Sequence, residues 1–93
     1  MTAQSDDYKL LLKVLGYALL EIRAADNVRK AQTLADVFHN VPAGIAHGRT
    51  PEDIRQKLDQ TAIRLKCKDH IDGMFENALE NMRQWEARRL KPN

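Results

Sequence analysis

Ninety-three residues are one domain's worth of chain, enough to bury a single core and too few for a second. With 43% apolar and 30% charged residues, divided into 15 basic and 13 acidic, the chain is too hydrophobic for a disordered tail, and its formal charge of +2 is too small to fix the sign of a partner. Four Gly, three Pro and 5% aromatic residues supply too few turn formers and strand formers for an all-β fold, and the lone Cys67 excludes an intramolecular disulfide or a thiolate-rich zinc cluster.

The composition and apolar spacing predict an all-α, small four-helix bundle-like domain over residues 1–93, with helices near 6–24, 27–39, 51–67 and 70–90 and fraying at 1–5 and 91–93. Ser5 is the expected cap of the first helix, followed by Asp6 and Asp7 in the turn where carboxylates favour the positive end of the helix dipole. Along this helix Tyr8, Leu11, Leu12, Leu15, Ala18, Leu19 and Ile22 trace one face, and Leu10, Val14 and Tyr17 widen it past half of the circumference. That surplus strip, Leu10, Val14 and Tyr17, is the expected partner-binding surface of a homodimer packed about a two-fold axis. Lys9, Lys13 and Glu21 interrupt the apolar run from Tyr8 to Ile22, so no membrane span is expected. The polar, acidic start has the wrong order for a secretory leader, and a cytoplasmic location is expected.

Asp26 or Asn27 caps the second helix, whose stripe is Val28, Ala31, Leu34, Ala35 and Phe38. The stretch Asn40 to Thr50 holds two of the four glycines and a proline, and reads as the one long loop. Thr50-Pro51-Glu52-Asp53 then gives a capping hydroxyl, proline at the first helical position and two acids in the first turn. The third helix has the stripe Ile54, Leu58, Thr61, Ala62 and Leu65; the fourth, with Asp69 as its expected cap, has Ile71, Met74, Phe75, Ala78, Leu79, Met82 and Trp85. Phe75, Met82 and Trp85 are expected against Leu58 and Leu65, and a continuous helix from 51 to 90 is the alternative if the Cys67 to His70 junction does not break.

Chemistry-bearing residues gather around the end of the second helix. Asp36 and His39 are three apart, hence on one face, and His47 lies in the following segment, so Asp36, His39, Asn40 and His47 form the candidate ligand site. His39 is equally suited to the helix end, where a cation and its ring donor meet free carbonyls. The sequence calls for no metal and no cofactor, since it lacks His-x-x-x-His, Glu-x-x-His and any cysteine pair. Lys66 and Lys68 beside Cys67 would favour a thiolate if the sulfur were exposed, whereas its place four residues after Ile63 favours a small apolar contact.

On the fourth helix Asp69, Asp72, Glu76 and Glu80 precede Arg83, Arg88, Arg89 and Lys91, the order the dipole prefers on a solvated face. A hairpin would place these bases and the Arg64, Lys66 and Lys68 group at opposite ends, which argues against one nucleic-acid footprint.

The segment Leu34-Ala35-Asp36-Val37-Phe38-His39-Asn40-Val41-Pro42 resembles a Leu-Ala-Asp-x-x-His-Asn-x-Pro stretch of small bacterial helical proteins. The resemblance spans nine residues and implies a bacterial origin and a reason to follow Asp36, His39, Asn40 and Pro42 together, without implying an activity. The resulting expectation is protein interaction, beginning with self-association through the first helix. An enzyme using Asp36, His39 and His47 with a metal or small molecule is the alternative, and nucleic-acid binding through the basic helix ends is third.

Overall fold

A computed structural model describes residues 3–90 of the chain. Four longer helices and one of seven residues follow in order: α1 Ala3–Ala24, α2 Val28–Phe38, α3 Asn40–Ala46, α4 Pro51–Arg64 and α5 Lys68–Leu90. The all-α, bundle-like architecture is as expected, and no strand occurs among the described residues. The fraying expected at residues 1–2 and 91–93 lies outside the described residues. Helix α1 already includes residues 3–5, so Ser5 sits inside it and does not cap it.

Two caps follow from local chemistry. Asn27 accepts a hydrogen bond from the Lys30 amide at 2.8 Å, and Thr50 accepts one from the Asp53 amide at 3.1 Å ahead of Pro51. Helix α5 begins at Lys68, which leaves Asp69 in its first turn. The α4–α5 junction does break. Lys66 adopts φ 61°, its amide bonds the Ile63 carbonyl at 3.1 Å, and the Cys67 amide bonds the Ala62 carbonyl at 2.9 Å. This paired closure satisfies the carbonyls at the end of α4 and turns the chain.

The expected loop 40–50 is mostly helix α3, and each residue that signalled a loop has a different task. Pro42 stands in the first turn of α3, where amides have no intrahelical acceptor, so its missing N–H costs nothing there. The same missing N–H interrupts the ladder from α2 and separates the two helices at His39. Gly44 is buried against α4; a Cβ on it would lie 2.7 Å from Ile54 Cγ1. Gly48, at φ 74°, ends α3, with its amide on the Ile45 carbonyl at 3.1 Å and the Arg49 amide on the Gly44 carbonyl at 2.9 Å.

Helix α1 packs against each of the other four. The core joins Leu11, Val14 and Ala18 of α1, Leu34, Val37 and Phe38 of α2, Val41 of α3, Ile54, Leu58 and Ala62 of α4, and Ile71, Met74, Phe75 and Ala78 of α5. On α2 the inward face is therefore centred on Val37, and Val28 is exposed, because the helix is rotated from the face its spacing predicted. Between α4 and α5 the Arg55 guanidinium lies 3.5 Å from the centre of the Phe75 ring. Its Nε donates to Asp59 at 3.0 Å and its Nη2 to Asp72 at 3.4 Å, and Lys68 Nζ donates to Asp72 at 2.5 Å. His70 Nε2 and Glu21 Oε1, 2.7 Å apart, join the end of α1 to the start of α5.

Candidate functional site

The strip Leu10, Val14 and Tyr17 is not a free surface. Val14 is fully buried, and Leu10 and Tyr17 are half-buried against the core. The other helices wrap the side of α1 centred on Leu11, Val14 and Ala18, which leaves Leu12, Leu19 and Leu20 facing outward. An apolar arc wider than half the helix contains several possible inward faces, and the packing of α2 to α5 selects among them.

Asp36, His39, Asn40 and His47 are only partly brought together. His39 Nδ1 lies 3.0 Å from the backbone carbonyl of Asp36, so the helix-end carbonyl, and not the carboxylate, is the partner of its ring. Both residues are exposed. Asn40 and His47 do share a cleft of about 120 Å³ with Ala43, Gly44, Arg49, Ile54 and Lys57. Asp36 and His39 are not among its walls, and the charged groups flanking His47 there are the cations Arg49 and Lys57. Among the described residues no group of three or more His, Cys, Asp or Glu side chains could hold a metal ion.

Cys67 is half-buried and packs against the core, and burial pushes its thiol pKa up. The Lys68 ammonium is turned to the Asp72 carboxylate, so desolvation governs the sulfur. This is the environment of a packing residue rather than a nucleophile.

A larger opening lies elsewhere, where the sequence pointed to a core. The apolar stripe of α5 is buried through Ala78, and beyond it no residue of α5 up to Arg89 is buried. Trp85, expected against Leu58 and Leu65, is 59% exposed, Leu79 is exposed and Met82 is half-buried. The reason is level and length. Phe75 already lines a recess with Pro51 and Arg55 from the first turns of α4, so the rest of α5 runs on past the start of that helix. The beginning of α1 accompanies it. Asp6 and Lys9 of α1 with Leu79, Met82, Arg83, Trp85, Glu86 and Arg89 of α5 line a groove of about 600 Å³. Its lining combines the apolar Leu79, Met82 and Trp85 with charges of both signs. The expected bounds 51–67 and 70–90 gave two helices of similar length, so the sequence did not signal this overhang; the observed α4 of 14 residues and α5 of 23 produce it.

No helix among the described residues is long and apolar enough to cross a membrane. No known protein family, curated protein or solved structure matches the chain. The segment Leu34 to Pro42 forms the end of α2 and the first turn of α3.

Proposed function

We propose that this chain is a small protein-interaction domain whose docking face is the overhanging half of α5 with the start of α1, and that this face takes up an amphipathic helix. The observation that carries the reading is the continuation of the α5 core stripe into solvent at Leu79, Met82 and Trp85. Apolar residues in register with a core, but beyond it, are the pattern of a helix-in-groove interface: a buried aromatic anchor with a charged rim. Enzymatic use of Asp36 and His39 has less support, because the His39 ring is turned to a helix-end carbonyl and Asp36 stands apart from the His47 cleft.

Site-specific photo-crosslinking inside the producing cell tests this. A photoreactive residue at Met82 or Trp85 is expected to yield an adduct of one discrete mass, identified by peptide sequencing, while the same residue at the exposed Gln32 of α2 yields none. Equal or absent crosslinking at the three positions would remove the interaction reading.

A further inference from the structure

Resting on that reading, we infer that the helix taken up by the groove is α5 of a second copy of this chain, lying antiparallel to the first about a two-fold axis between Gln84 and Trp85. The argument is one of charge order on a single flank. At 100° per residue Met82 and Trp85 lie close to the middle of the exposed stripe, and Glu86 and Arg83 follow one another around the same side of it. In an antiparallel pair related by a two-fold axis, that side of one helix meets the same side of the other, read in reverse. A base placed three residues before an acid therefore meets an acid and a base in the partner. Arg83 faces Glu86 of the second copy, and Glu86 faces its Arg83, so one sequence supplies two ion pairs with itself.

A parallel two-fold pair with the same stripes facing would set the Arg83 and Glu86 flank of one helix against the opposite flank of the other, so neither ion pair would form. The central positions then bring Trp85 and Met82 of each chain against those of the other, removing from water the apolar surface that the monomer leaves exposed. The existing contact of Arg83 does not compete strongly. It lies 3.6 Å from Glu80 on its own helix, with both side chains largely exposed, and pairs of that kind are weak.

The purified full chain provides the test. Light scattering at about 100 µM is expected to give the mass of two chains, and Trp85→Asp the mass of one. Arg83→Glu alone creates two acid–acid contacts and Glu86→Arg alone two base–base contacts, so each is expected to weaken self-association roughly tenfold or more. An equimolar mixture of the two single variants restores the two-chain mass, because a flank carrying two acids then meets a flank carrying two bases. The three altered side chains are all exposed, and circular dichroism of each variant checks that the helices are retained. A one-chain mass for the wild type would overturn the second copy as occupant, while crosslinking at Met82 and Trp85 to a different protein would still uphold the interaction reading. A two-chain mass that ignores the Trp85 change, or a mixture that fails to re-pair, would overturn the antiparallel α5 arrangement.

Discussion

Replacing Gly44 by alanine separates helix propensity from helix packing within one protein. In an open helix interior Gly→Ala stabilises by about 0.8–1 kcal/mol, because glycine loses more backbone freedom on folding. Gly73 in α5 meets nothing within 4 Å of an added Cβ, and Gly73→Ala is expected to show that gain, raising the unfolding midpoint by about 5 °C for a domain of this size. Gly44 should behave oppositely. Its added methyl would lie 2.7 Å from Ile54 Cγ1 and 3.1 Å from Cδ1, and Ile54 is only 2% exposed, held in the core by its neighbours. Overpacking of this kind costs about 1–3 kcal/mol, so the net effect after the propensity gain is a loss of up to about 2 kcal/mol. Removing the obstacle reverses the sign: in an Ile54→Ala background, itself destabilised by about 2–5 kcal/mol, Gly44→Ala should restore about 1 kcal/mol. Chemical denaturation of the four members of the cycle measures this coupling. If Gly44→Ala stabilises the wild-type background as much as the Ile54→Ala one, the close approach of α3 to α4 is refuted.

Three further outcomes are expected. Lys66→Gly, at the left-handed position that closes α4, should stabilise the chain by about 1 kcal/mol in thermal unfolding, since glycine carries no side-chain strain at φ 61°. Phe75→Ala should cost about 3–5 kcal/mol in denaturant titration, because the ring is buried in the core and carries the Arg55 guanidinium, whereas the exposed Glu76→Ala should cost under about 0.5 kcal/mol. Cys67 should react with iodoacetamide near neutral pH more slowly in the folded chain than in the urea-unfolded one. Its raised thiol pKa lowers the thiolate fraction, and the rate should climb as pH rises toward that pKa; equal rates in both states would contradict the burial of the sulfur.

Local chemistry determined the helical class and several boundaries, and these were legible from neighbouring residues alone. Asn27 and Thr50 accept hydrogen bonds from amides three residues ahead, and Pro51 stands where a helix loses nothing by lacking an N–H. The stripes Ile54-Leu58-Ala62 and Ile71-Met74-Phe75-Ala78 are narrow enough that only one face can turn inward. Where a residue type admits more than one local role, its neighbours in sequence did not choose between them. Gly44, Pro42 and Gly48 looked alike as loop formers, yet one admits Ile54, one stands in a first turn and one ends a helix.

The candidate sites depended still more on tertiary structure. Leu10, Val14 and Tyr17 belong to an apolar arc wide enough to face several ways, and only the placement of four surrounding helices turned them inward and Leu12, Leu19 and Leu20 outward. Asp36 and His39 share a helix face by spacing, but the ring met the Asp36 carbonyl because the helix ends there. Trp85 continues the periodicity of Phe75 and Ala78 without a break, and hydrophobic spacing records which side of a helix is apolar, not how far along it a neighbour extends. Only the position of α4, whose first turns share a recess with Phe75, leaves Trp85 in water.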